Sequence, residues 1–101
     1  MREVVKARDP DFFAKVAALF YEVDPAGINY AINPDEYEPE VGTVLPRLEE
    51  VSSVEDVERV LREELDRWFG GTYSPAKVEP LATALWPIWQ AWKAAARQAP
   101  G

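Results

Sequence analysis

The sequence predicts an all-α fold, a compact irregular array of four helices with a long loop between the first and second. Three observations carry this. Apolar residues recur at helical spacing in four segments, most of them opened by a capping residue or a proline. No alternation of period two runs for more than a few residues. Links rich in Pro and Gly separate the segments. The 101 residues form one domain, 1–101. A hydrophobic content of 48%, with four each of Trp, Tyr and Phe, suffices for a single core.

The first helix is expected over about 10–23. Asp9 suits the N-cap and Pro10 the first helical position. Phe12, Phe13, Val16, Leu19, Phe20 and Val23 share one stripe. Asp24-Pro25-Ala26-Gly27 ends it, because a residue before Pro leaves the α region and Gly permits a turn. Residues 28–37 read as a loop with no period. The second helix is expected over about 35–49, opened by Asn33-Pro34-Asp35-Glu36, with Val41, Val44, Leu45 and Leu48 inward. Pro39 suggests an irregular first turn. Pro46 should kink the helix, since it removes one backbone donor and presses on the carbonyl of Gly42.

The third helix, 54–69, is the clearest. Ser53 is its N-cap and Asp56 occupies the capping-box position. Val54, Val57, Val60, Leu61, Leu65, Trp68 and Phe69 lie on one half of the wheel. Glu55–Arg59, Glu58–Arg62 and Glu63–Arg67 have the favourable (i, i+4) order, and Gly70-Gly71 closes the helix. The fourth helix is expected over about 80–98, with Leu81, Leu85, Ile88 and Trp92 inward, Trp89 on the flank and a kink at Pro87. The tail 99–101 should fray.

The inventory of side chains restricts function. There is no Cys and no His, so disulfide, thiolate and imidazole chemistry and the usual zinc, copper, haem and iron–sulfur ligands are missing. The three serines read as turns or caps. No cofactor is expected, and the chain reads as a non-enzyme. Gly70-Gly71 lacks the Lys and Ser/Thr of a phosphate loop. Basic residues do not cluster with aromatics, so no nucleic-acid partner is expected. No apolar run approaches about 18 residues and the N-terminus is charged, so no membrane partner is expected and the cytoplasm is the expected location.

Charge is uneven. The net charge is −7, yet residues 20–58 alone carry −10, with Arg47 the single base among eleven acids, and the remainder carries +3. Such a belt attracts basic surfaces. The acids at the start of the third helix have local roles. Asp24, Asp35, Glu36, Glu38, Glu40, Glu49 and Glu50 are left as candidate partner contacts, alongside a bland reading as solvated loop and helix start. Tyr30 and Tyr37 accompany them. A divalent cation is a weaker alternative, since the spacing is not that of an EF-hand. Trp86 falls among Glu79, Thr83, Gln90 and Lys93. It is expected either to be covered by the N-terminal segment or the 72–79 connector, to be swung inward by the Pro87 kink, or to anchor an interface. Glu64 sits inside the apolar half of its helix, with its stem packed and its carboxylate at the stripe edge, or else buried and partnered.

The run from Val23-Asp24-Pro25-Ala26-Gly27 through Pro34-Asp35-Glu36-Tyr37-Glu38-Pro39-Glu40-Val41 resembles the YugE-like family of small bacterial helical proteins. It shares an Asp-Pro-x-Gly turn and a Pro-x-x-Tyr-x-x-Glu segment, followed by a helix like Val54–Phe69, over about residues 10–70. The longer loop, Pro39, Pro46 and the Trp-rich last helix depart from it. The resemblance implies a compact irregular four-helix array. Small acidic proteins of this general type look like immunity partners of bacterial toxins. The expected function is therefore a non-catalytic acidic domain that binds a basic protein, with toxin inhibition as the sharpest form. The alternatives are a structural or regulatory subunit associating through apolar surface centred on Trp86, and a carboxylate-based or divalent-metal enzyme. Partner identity and oligomeric state stay open at this level.

Overall fold

Helix α1 (Pro10–Val23) begins where the sequence places it. Asp9 is the N-cap and its Oδ1 accepts from the Phe12 N–H at 3.0 Å. The computed structural model describes residues 9–27 and 37–98. At the other end Asp24 takes a left-handed conformation (φ 53°), and its N–H donates to the Phe20 carbonyl at 2.7 Å. Asp is among the few non-Gly residues that enter this region readily. Gly27, also at positive φ, completes the turn.

Helix α2 (Glu38–Val44) is shorter than expected, and a 3-10 helix (Leu45–Glu50) continues it. Pro46 explains the change. It has no N–H to give the Gly42 carbonyl, so the chain tightens rather than merely kinking. The expected start at residue 35 lies outside the described residues.

Helix α3 (Val54–Phe69) matches its predicted bounds. Ser53 Oγ accepts from the Asp56 N–H at 3.2 Å. The Asp56 carboxylate reaches back to the Ser52 N–H and hydroxyl at 3.1 and 3.2 Å, one residue before the position a longer Glu would serve. Of the three expected (i, i+4) pairs, Glu58–Arg62 forms at 3.3 Å. Arg59 instead meets Asp56 (3.2 Å), Arg67 lies near Glu64 (3.8 Å), and Glu63 is held by Arg47 of the 3-10 helix.

A short 3-10 turn (Pro75–Lys77) leads directly into helix α4 (Val78–Gln98), which starts two residues earlier than predicted because Val78 is fully buried. Pro80 falls in the first turn, where no N–H is needed, and the helix runs continuously through Pro87. There is no strand among the described residues.

Helix α4 packs on α1 and α3, and α2 packs on the same two helices. The core joins Phe13, Val16 and Phe20 of α1, Val41 and Val44 of α2, Leu61 and Leu65 of α3, and Leu81 and Leu85 of α4. Two polar pins set this arrangement. Asp9 Oδ2 accepts from the Trp92 indole N–H at 2.8 Å, so the carboxylate that caps α1 also holds the last turns of α4. Phe12 stacks on Trp92 beside it, with centroids 4.4 Å apart and planes 8° from parallel. The second pin is the Asp24–Gly27 turn. Tyr37 Oη donates to Asp24 Oδ1 (2.7 Å) and accepts from the Ala26 N–H (3.0 Å). The Ser74 N–H donates to the Pro25 carbonyl (2.7 Å), and Lys77 Nζ to the Asp24 carbonyl (3.2 Å).

Candidate functional site

The acids left over by the sequence divide by position. Asp24 is a structural part of the α1 turn. Tyr37, expected beside the acids as a contact residue, is fully buried, with its ring against Phe20 and Phe69 and its hydroxyl satisfied within the fold. This corrects the expectation of an accessible Tyr37. The reason is local: the turn it pins brings its ring under α1. Glu40 is corrected too. It is 5% exposed, and its Oε1 has no hydrogen-bond partner among the described residues. Burial pushes its carboxyl pKa up, and its own backbone N–H offsets part of that shift. Glu38, at the first position of α2, is half-buried. Tyr30, Asp35 and Glu36 lie outside the described residues.

Glu49 and Glu50, at the end of the 3-10 helix, are exposed. Glu49 lies across a depression from Trp86, which α4 presents at its middle. The depression has a volume of about 300 Å³ and is lined by Leu48, Glu49, Val51, Trp86, Trp89, Gln90, Lys93 and Ala94. Trp86 is half-buried and packs on the core. Among the described residues the 72–79 connector does not line this depression, whereas the 3-10 helix and Val51 do; the N-terminal segment, the other expected cover, lies outside the described residues. The 3-10 geometry matters, because the tighter winding around Pro46 places Leu48 in the core and leaves Glu49 on the rim facing α4. Lys93 bridges the gap. Its Nζ donates to Glu49 Oε1 at 2.5 Å and stands 5.7 Å from the centroid of the Trp89 ring. Trp89, expected on the flank, is buried, with its ring centroid 5.3 Å from that of Trp92.

A second depression of about 520 Å³ lies along α1 and α4, lined by Asp9, Asp11, Phe12, Lys15, Pro87, Ile88, Ala91 and Trp92. Its acids are Asp9, fixed by its cap and by Trp92, and Asp11.

Sequence reasoning missed two features. One is the part played by Arg47. Its Nη1 donates to Glu64 Oε2 at 2.9 Å and its Nη2 to Glu63. Glu64 is 2% exposed, so it is buried and partnered, with Oε1 left unbonded among the described residues. Arg47 holds the Glu63 carboxyl below its ordinary range, chiefly through their hydrogen bond, and the same bond raises the Arg47 pKa. The odd wheel position of Glu64 together with the only base in the acidic belt was the signal for this pair. The other is Trp68, assigned to the apolar half but 39% exposed, its indole N–H donating to Thr43 Oγ1 at 3.0 Å.

Among the described residues no group of three acids is placed to hold a metal ion, and no helix is long and apolar enough to cross a membrane. The chain matches no family model, no curated protein and no solved structure, so the resemblance to the YugE-like family finds no support beyond its own motifs.

Proposed function

We propose that the chain is a non-catalytic binding domain whose ligand is a basic protein. The observation that carries this is the meeting of Glu49 and Trp86 at one depression. Two residues singled out separately, one for charge and one as an aromatic on a polar helix face, come from different elements and share a rim, with Glu50 exposed next to Glu49 in the chain. Aromatic anchors contribute large contact area at small entropy cost, and surface carboxylates steer a basic partner into register. Inhibition of a basic toxin is the sharpest form of this function and rests on charge. Pull-down from the source cells at about 0.05 M and about 0.5 M salt tests it, since screened attraction weakens over that range. Glu49→Gln/Glu50→Gln should lose most of the retained partner at low salt. Unchanged retention by that variant removes the depression from the interface.

Trp68 favours a second reading, association through apolar surface, because it is the large hydrophobic side chain left exposed among the described residues. Light scattering after size exclusion separates the two. A wild-type dimer converted to monomer by Trp68→Ser would support a subunit role.

A further inference from the structure

We propose that the depression between Glu49, Trp86 and Trp89 is a cation site for an arginine or lysine side chain of the partner, and that Lys93 is its internal occupant, held in place until the partner displaces it. This rests on the binding role proposed above and names the chemistry recognised.

The two halves of a cation site are already assembled. Trp89 supplies an aromatic face and Glu49 a carboxylate, and the Lys93 ammonium lies within reach of both, 2.5 Å from Glu49 Oε1 and 5.7 Å from the ring centroid. A cation within about 6 Å of an indole face is attracted by the ring quadrupole, and a carboxylate adds a charge-assisted bond. Lys93 and Trp89 are one helical turn apart on α4, so their contact is local. Glu49 arrives from another element, so the site as a whole is made by the tertiary fold.

Lys93 is a weak occupant. The Lys93 and Glu49 side chains are 32% and 46% exposed, and an exposed pair of this kind holds loosely. A partner guanidinium fits the same walls better. It is planar, can lie against indole, and can offer two parallel N–H groups to one carboxylate where an ammonium offers a point charge. Val51 and Ala94 provide an apolar lining for its methylene stem, and Gln90 an amide beside the charged end. The volume of about 300 Å³ is at the small end of ligand sites, in keeping with one side chain rather than a free metabolite. Charge complementarity favours a cationic visitor, because Glu50 is exposed next to Glu49 and the chain as a whole is at −7. On displacement Lys93 passes into water, at the low cost expected of a flexible, hydrated side chain.

The test is a titration of the whole chain with a capped tri-arginine peptide, followed through the indole N–H resonances of the four tryptophans. Binding should shift Trp86 and Trp89 and leave Trp68 unmoved. Lys93→Gln removes the competitor and a like charge, so it should bind about three- to tenfold tighter, the factor matching the weak strength of an exposed pair. Glu49→Gln should bind at least about fivefold more weakly. Both substitutions are at the surface, and unchanged melting temperatures would show that the fold is retained. Weaker or equal binding by Lys93→Gln overturns the internal-occupant role, as does absence of binding to both the wild type and this variant. If the peptide binds but the shifts fall elsewhere, and intact basic partners are still retained in the pull-down, the basic-partner function stands while this site does not.

Discussion

Replacing Arg47 by Met should cost the fold about 2–3 kcal/mol, and replacing its buried partner Glu64 by Leu should cost almost nothing. The asymmetry follows from burial. Glu64 is 2% exposed and Arg47 35%. Removing the cation strands a carboxylate in the core, a change that costs about 3–5 kcal/mol when nothing else compensates. Here Arg67 Nη2 stays at 3.8 Å from the same oxygen, which argues for the lower figure. Removing the anion leaves Arg47 with Glu63 and with solvent. It also deletes Oε1, which has no partner among the described residues and whose desolvation costs about 1–3 kcal/mol. Leu is similar in size and as good a helix former, so Glu64→Leu should fall within about 1 kcal/mol of wild type. The double variant should then resemble Glu64→Leu rather than the sum of the singles, giving a coupling of about 2 kcal/mol. Urea unfolding followed by circular dichroism reads all four species, with equal slopes as the check that only stability has changed. If Glu64→Leu costs as much as Arg47→Met, the pair itself stabilises the fold and the asymmetry argued from burial is wrong.

Asp9→Ala removes the α1 cap and the Trp92 bond together, so it should cost about 1–3 kcal/mol, read as a drop of several degrees in the thermal midpoint; Asp9→Asn, which can still cap, should cost less. Tyr37→Phe leaves the Ala26 N–H without its acceptor and should cost about 1–3 kcal/mol in the same assay. Glu40 has a folded pKa raised above its ordinary 4.5, so the folded state holds its proton more tightly than the unfolded state and the cost of burying the charge is greatest above the folded value. Glu40→Gln should therefore stabilise near neutral pH, and the gain should vanish as pH falls through the folded pKa toward 4.5. Asp56 and Glu63 behave oppositely, since Ser52 and Arg47 respectively lower their pKa values. Their contribution is present above the unfolded range and is lost as pH falls, so stability in the Glu40→Gln background should decline monotonically on acidification.

Helices α1 and α3 were legible in the sequence because each carries its own boundary chemistry. Asp9-Pro10 and Ser53 are caps whose partners lie three residues away, and local geometry alone satisfies them. The second helix was less legible. Pro46 announced a disruption, but whether the chain kinks or tightens depends on where Leu48 can be buried, a tertiary matter. The expected Glu63–Arg67 pair of α3 failed for a related reason. Arg47 lies seventeen and sixteen residues from Glu64 and Glu63, and it outcompetes the helix's own Arg67 because Glu64 faces inward toward the 3-10 helix. At the candidate site, charge and aromatic position pointed to Glu49 and Trp86 separately. Their proximity and the role of Lys93 are invisible in one dimension.

The structure also changes what net charge means here. A count of eleven acids in residues 20–58 suggests one broad negative face. Among the described members, Glu40 is in the core, Asp24 lies in the α1 turn, and Asp56 and Glu58 have arginine partners within α3. The single base of the belt, Arg47, is turned toward two acids outside it and pairs with none of the described acids within. The negative potential a partner meets is therefore not the average over the segment. It is concentrated where carboxylates are exposed and held by no more than a loose surface pair, and Glu49 at the Trp86 rim, with exposed Glu50 next to it in the chain, satisfies that condition. Steering depends on long-range charge, but register depends on a few desolvated contacts. A broad acidic segment can supply the first; the depression gives the second a definite address.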